Sequence, residues 1–332
     1  MDYAIYLGDA HTVVFKKNEG IVLNEATRVA YTMVGKMDRE LKCIAVGNRA
    51  KQMQDRSDKK VVVESFVVNG RIVDMRLCKI FLAELMKKVA GEGYRNLKVL
   101  ICIPCSLTSE EVDAYREVAY SVNVSVVEFV PTVVASAVGA GFNIESAEAC
   151  LSVYIGEGLT EIAAISFGGI IAGGTIYEGG AEVTAEIAKF IEKKHGIEIS
   201  EQMAEEARNH SGTLLVNDEV SFRICGMDSD TGEIREAWFN GMDCYKIMLP
   251  TYSKITRAIM KVITECSPQV LVDIKEKPIY VGGECSNPTG LREFLTSNLG
   301  MSVMLASSNS AISGAGMLLS DKVLLRKIVS AN

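Results

Sequence analysis

Histidine is scarce in this 332-residue chain: His11, His195 and His210 are too few and too scattered to outline a metal site. No run of apolar residues is long enough to cross a membrane, and no signal-peptide pattern is present. The N-terminus passes straight into a strand, which leaves no room for an amphipathic membrane helix ahead of it. A cytoplasmic location is therefore expected. An excess of basic charge is also missing: 35 Lys and Arg face 42 Asp and Glu, a net charge of -7, which argues against nucleic acid held on a basic face. The chain has no low-complexity tract and no disordered linker.

What is present suits a large core. Apolar residues make up 48% and charged residues 23%, enough for two domains or one bilobed molecule. The nine cysteines (Cys43, Cys78, Cys102, Cys105, Cys150, Cys225, Cys244, Cys266, Cys285) are odd in number and mostly lie in apolar runs. They read as reduced core thiols. The single CxxC, Cys102-Ile103-Pro104-Cys105, ends an apolar strand and has no second pair, so it is not read as a zinc or redox motif.

One short segment occurs twice. Near the start it reads Tyr6-Leu7-Gly8-Asp9-Ala10-His11-Thr12, and in the middle Tyr154-Ile155-Gly156-Glu157-Gly158-Leu159-Thr160. Each is a strand, a glycine turn with an acid, and a threonine opening a second strand. Two lobes are expected, each with a hairpin tip facing a shared cleft. Glycine at such a tip lets backbone N–H groups approach a phosphate, whereas an acid there repels one.

Along the first lobe, strands are expected at 4–7, 12–15, 20–25 and 43–46. A helix follows at 76–90, then a strand at 97–103. Another helix starts at Ser109, capped by Ser109 or Thr108, then a strand at 124–130 and a small-residue helix at 132–140. In the second lobe strands are expected at 150–155, 160–167 and 170–176 and helices at 181–194 and 200–209. Polar strands and turns over 212–241 precede a helix at 249–265, strands at 278–281 and 301–305, and a final helix over 312–328.

This order of elements, with Val46-Gly47-Asn48-Arg49-Ala50-Lys51, Gly70-Arg71-Ile72-Val73-Asp74, Gly139-Ala140-Gly141, Gly179-Gly180 and Gly282-Gly283, resembles the actin-like ATPase superfamily and, more narrowly, the MreB family of bacterial actins. The resemblance implies an α/β, two-lobed actin-like ATPase fold of duplicated ribonuclease-H-like domains. One lobe would cover 1–143 plus 315–332, with an inserted subdomain at about 31–69. The other would cover 144–314, with an inserted subdomain at about 179–244. The resemblance also implies ATP and Mg in the cleft, homopolymer filaments, and contacts with membrane or cell-shape proteins. The residues it places at the nucleotide are Gly8, Ala10, Thr12, Gly156, Gly158, Thr160, Glu205, Arg208, Gly282 and Gly283.

The departures from the family pattern matter as much. Its first hairpin reads Asp-Leu-Gly-Thr-Ala-Asn-Thr; here Tyr6 replaces the Mg-placing aspartate, Asp9 the threonine and His11 the asparagine. Its second reads Asp-Ile-Gly-Gly-Gly-Thr-Thr-Glu; here Tyr154 replaces the aspartate and Glu157 a glycine. Glu284 follows Gly282-Gly283 where a third glycine stands, and Arg208 replaces a lysine. Its Glu-Glu-Pro, source of the water-orienting carboxylate, falls at Pro131-Thr132-Val133, and Glu128 is the nearest acid. Lost Mg-orienting and water-orienting groups remove what phosphoryl transfer relies on. Added acids beside phosphates cost on the order of several kcal/mol. ATP binding and hydrolysis are accordingly expected to be weakened or lost, although Asp9 and Glu157 could hold Mg²⁺ from new positions. The paired tyrosines are expected to fill the cleft; drift at a disused site is the alternative. His11 could titrate near a phosphate or pair with Asp9. Tyr94, in Gly91-Glu92-Gly93-Tyr94-Arg95-Asn96, is the one apolar anchor at the family's membrane tip. Trp238 is expected in a core or hairpin role.

The leading expectation is a filament protein with an altered nucleotide site. An active ATPase with a rearranged Mg site, or a non-polymerising scaffold, are the alternatives. A sugar kinase would need a substrate base and pocket, and an Hsp70-type chaperone a further domain; neither is read here.

Overall fold

A computed structural model describes residues 2–34, 40–54 and 60–331. Residues 35–39 and 55–59, within the expected insertion at 31–69, and Met1 and Asn332 lie outside the described residues.

The first lobe opens with β1 (Tyr3–Leu7), β2 (His11–Lys16) and β3 (Gly20–Ala26), followed by β4 (Val29–Val34), β5 (Glu40–Val46) and α1 (Asn48–Met53). Next come β6 (Val62–Glu64), β7 (Val67–Val68), β8 (Arg71–Ile72) and α2 (Met75–Ala90). The lobe continues with β9 (Leu97–Ile103), α3 (Ser109–Ser121), β10 (Val124–Pro131) and α4 (Thr132–Gly139). The second lobe has β11 (Cys150–Ile155), β12 (Thr160–Ser166), β13 (Gly169–Ile176), α5 (Gly180–His195), β14 (Ile197–Glu198) and α6 (Glu201–Ser211). It proceeds through β15 (Ser221–Asp228), β16 (Ile234–Asn240), α7 (Gly241–Glu265), α8 (Pro268–Glu276) and β17 (Ile279–Gly282). It closes with α9 (Leu291–Leu299) and β18 (Val303–Leu305); α10 (Ser310–Leu318) then packs on β1, β2 and β9 of the first lobe, and α11 (Lys322–Ala331) follows it.

The duplication read from the hairpins extends to whole sheets. One runs β3-β2-β1-β9-β10 and the other β13-β12-β11-β17-β18. In both, an antiparallel meander of three strands is extended by two parallel strands. The central strands β9 and β11 carry nearly continuous buried apolar runs, as in Val99–Ile103, because both their faces are covered.

Helices α4 and α10 pack closely on each other between the sheets. An added Cβ on Gly314 would run into the Ala135 carbonyl, and one on Gly139 into that of Ser310. That close approach explains the small residues of 132–140. Their surroundings draw Ala4, Val13 and Leu100 from one sheet and Tyr154, Ala163 and Ile165 from the other into a single core. Smaller sheets, β5-β4-β6 and β14-β15-β16, sit on the two lobes.

Helix ends follow their caps. Asp74 accepts the Arg76 and Leu77 amides at the start of α2, and Thr108 forms a capping box with Glu111 at α3. Helix α7 begins eight residues earlier than expected, at Gly241, because Asn240 caps it; Pro250 lies inside it. The expected helix over 312–328 is two helices: Asp321 accepts the Val323 and Leu324 amides and starts a new one. Helices α8 and α9 were not anticipated.

Candidate functional site

The two glycine hairpins meet in the cleft. Gly8 N–H donates to the His11 carbonyl (3.0 Å) and Gly156 N–H to the Leu159 carbonyl (2.9 Å), so these amides close their own turns. The tips touch: the position a Gly158 Cβ would take is filled by the Asp9 carboxylate. Behind them the half-buried Tyr6 and the buried Tyr154 lie edge to face, with their hydroxyls hydrogen-bonded. Burial, then the facing Glu284, pushes both phenols well above their ordinary pKa. The Tyr6 ring lies where a Gly8 side chain would start, 2.6 Å from that Cβ position.

Two of the three new acids find partners within the protein. Asp9 accepts the amides of Asn69 (2.6 Å) and Gly70 (2.8 Å). Those residues are the Asn-Gly turn of the β7–β8 hairpin, both with positive φ (52° and 67°), a geometry that aims successive N–H groups at one anion. Burial pushes Asp9 upward, and the two amides oppose that. Glu157 takes a two-pronged ion pair from Arg208, 2.6 and 3.1 Å, and a hydrogen bond from the Cys285 thiol at 3.3 Å. Burial opposes its charge, but Arg208 prevails and holds it below the usual carboxylate range. Arg208 is 8% exposed and also reaches the Thr184 hydroxyl (2.9 Å).

Glu284 differs. Its residue surface is half-buried, yet Oε2 is enclosed and has no hydrogen-bond partner. Burial, then the charges of Glu157 and Asp9, pushes its carboxyl up to about 8.

The remaining expected site residues also make contacts within the protein. The Thr12 hydroxyl is buried against that of Thr27 (2.9 Å), and the Thr160 hydroxyl donates to the Glu178 carbonyl (2.8 Å). The Ala10 carbonyl accepts the Thr27 amide (2.8 Å). Gly282 packs on the Ser310 and Ser136 hydroxyls, while Gly283, φ 110°, rests on the backbone of Ile155. Glu205 pairs with Lys51 of the other lobe at 2.6 Å. Arg28–Glu201 and Gln54–Glu201 also span the mouth, and Arg71 donates to the Tyr177 hydroxyl at 2.5 Å. His11 bonds Asn24 and not Asp9; burial, then Lys51, lowers its pKa.

Glu128 lines a separate groove of about 740 Å³ with Arg116 and Phe129. The carboxylate that comes beside Thr132 is Glu161, which sequence reasoning passed over. It is fully buried and accepts the Cys105 amide of the other lobe (2.7 Å); burial pushes it up to about 7. Lys51, Cys285 and the Asn69-Gly70 turn were also missed as partners. Lys51 and Gly70 lie in stretches that carried the resemblance.

Three cavities lie along the cleft. The cavity lined by Tyr6, Asp9, Tyr154, Glu157 and Glu161 measures about 20 Å³, as does the one between Arg208, Tyr252 and Cys285. A third, about 430 Å³, is lined by both hairpin tips (Asp9, Ala10, Glu157 and Gly158) together with Lys51 and Glu205. No group of three or more metal-ligating side chains forms among the described residues. No helix among them is long and apolar enough to cross a membrane. Tyr94 is half-buried against the first-lobe core. Trp238 is on the β15–β16 hairpin, as one reading had it, but is 62% exposed. All nine cysteines are free thiols.

Two lobes of one strand order, joined across a cleft and turning matched glycine hairpins into it, define an actin-like protein. The chain belongs to the MreB/Mbl family, whose model, described as MreB/Mbl protein, matches residues 1–327. Among curated relatives it is 28% identical over 308 residues to the cell shape-determining protein MreB of Escherichia coli (strain K12), covering 92% of this chain and 88% of that protein. It is 28% identical over 336 residues to the cell shape-determining protein Mbl of Bacillus subtilis (strain 168), covering 98% of each. Among solved structures, MreB5 of Spiroplasma citri bound to AMPPNP superposes with a TM-score of 0.89 at 25% identity, covering 100% of this chain and 99% of that one. A MamK double helical filament shares the fold, with a TM-score of 0.77 at 16% identity, covering 96% and 99%.

Proposed function

We propose that this chain is a cell-shape cytoskeletal protein of the MreB type that assembles with further copies of itself, and whose assembly leans little on ATP. Family membership and the printed roles of MreB and Mbl support the first part. The observation that carries the second is the Glu157–Arg208 pair: a carboxylate of the chain itself takes the cation at the second hairpin. The residues there do not fit an ATP·Mg complex. Both tyrosines replace Mg-orienting acids, and Asp9 is committed to two amides.

A second reading, an ATPase with a rearranged site, draws on the cavity of about 430 Å³ and on the AMPPNP complex of the Spiroplasma citri relative. Electron microscopy of the purified protein with and without ATP separates the two. Filaments in both conditions support the first reading, and filaments with ATP alone support the second. Complete absence of filaments removes both in favour of a non-polymerising scaffold. Equilibrium binding of a labelled ATP analogue tests the cleft directly.

A further inference from the structure

We propose that the Glu284 carboxyl is a protonation-controlled latch on the cleft: neutral, it lets the two hairpin tips close against the loop after β17; ionised, it drives them apart. The proposal deepens the reading of a cleft closed by the protein's own groups and rests on it.

The argument starts from where Glu284 is held. The preceding Gly283 lies on the Ile155 backbone, and the Cys285 amide donates to the Ile155 carbonyl at 3.0 Å. The backbone of the loop is thus pinned to the second hairpin. Tyr6 and Asp9 face the carboxyl from the first lobe. Tyr154, Glu157, Glu205, Arg208 and Cys285 face it from the second. Three of these seven groups are acids.

The one cation among them, Arg208, is already engaged. Both its terminal nitrogens go to Glu157, and one also reaches Thr184. Nothing donates to Glu284 Oε2. A charge on Oε2 would have no hydrogen bond and would feel the charges of Glu157 and of Asp9 from the opposite lobe. Relief comes most directly from separating the lobes and admitting water.

Opening returns the carboxyl to water and its ordinary pKa of 4.5, whereas the closed cleft holds it at about 8. The closed form therefore binds the proton more tightly. The ratio of closed to open falls about tenfold per pH unit between those two values and levels off above them. His11, lowered from 6.5, is neutral over the upper part of this range, and Glu157 remains ionised throughout. Glu161, at about 7, is the other buried acid at a lobe contact and must be separated by experiment.

The test is small-angle X-ray scattering of the full nucleotide-free chain, below its assembly concentration, at pH 6 and pH 9. The wild type is expected to expand at pH 9, Glu284→Gln to stay compact at both, and Glu161→Gln to expand as the wild type does. A wild type of one size at both pH values, or a Glu284→Gln variant that expands like it, overturns the latch. Should that variant not fold, carbon-13 titration of glutamate carboxyls in the wild type decides: one midpoint near 8 beyond that of Glu161 supports the latch, and its absence overturns it. Binding of a labelled ATP analogue is measured in parallel at pH 6. Saturation there refutes the underlying reading of the cleft, whereas a flat scattering profile without ATP binding refutes the latch alone.

Discussion

Tyr6 and Tyr154 meet edge to face across the cleft, with ring centroids 5.8 Å apart and planes at 62°. Each stands at the corresponding position of its lobe's first strand, so the strand duplication itself brings the rings together. Where a charged pair of aspartates would need a metal between them, two phenols supply a lobe-to-lobe contact with no ligand.

That contact has a measurable strength. Replacing either ring by alanine is expected to cost about 3–5 kcal/mol, the usual loss for a buried aromatic. A cycle of Tyr6→Leu, Tyr154→Leu and the double variant should isolate a pair term of about 0.5–1.5 kcal/mol. Urea unfolding midpoints provide the numbers. Additive single effects would mean that the rings fill space independently.

Arg208→Ala should be the most damaging single change in the cleft. It leaves Glu157 enclosed without its cation, a loss of about 3–5 kcal/mol. Adding Glu157→Gly removes the stranded charge and should recover most of that loss, in thermal unfolding of both variants. Lysine at 208 should recover less, because it lacks the fork that grips both carboxylate oxygens.

Glu161 makes stability pH-dependent. Its carboxyl titrates at about 7 when folded, against an ordinary 4.5. The folded state therefore holds the proton more tightly, and stability falls as pH rises from 4.5 through 7, then stays level. The full loss is about 3 kcal/mol. Glu161→Gln, which still accepts the Cys105 amide, should gain on the wild type in melting temperature between pH 5 and pH 8.

Restoring the family residues should restore the nucleotide. Tyr6→Asp, Asp9→Thr, Tyr154→Asp and Glu157→Gly together return the acids that steer magnesium and clear those at the phosphates. A labelled ATP analogue should then bind at least about tenfold tighter, a gain of roughly 1.4 kcal/mol, and only with Mg²⁺ present. Equal affinity with and without the four changes would place the block elsewhere, at Glu284 or Arg208.

Much of this was readable in advance. Strand–glycine–strand repeats at residues 3–16 and 150–166 set both meanders, because alternating burial and a tight turn leave few other arrangements. The loss of acids at 6 and 154 was plain from the residues themselves. The fates of Asp9 and Glu157 were not: their partners lie 60, 61 and 51 residues away, and no local pattern links a carboxylate to a turn or helix that the fold delivers. The start of α7 was placed too late because the apolar spacing of Ile255, Ile259 and Val262 marks only its later turns, while the true cap, Asn240, sat at the end of a polar strand. Helix α9 has three buried residues, Leu291, Leu295 and Leu299, and glycines at both ends, a pattern that also suits a loop.

The seat of α10 bears on how the chain comes to be folded at all. Ala311, Ile312, Ala315 and Leu318 complete a core that Ala4, Val13 and Leu100 begin. On the ribosome, β1, β2 and β9 emerge well before the helix that covers them. Until it arrives, their apolar inner face is open to chaperones or to a neighbouring nascent chain. Synthesis of the N-terminal half alone should therefore yield a sticky, incompletely closed product rather than a folded lobe.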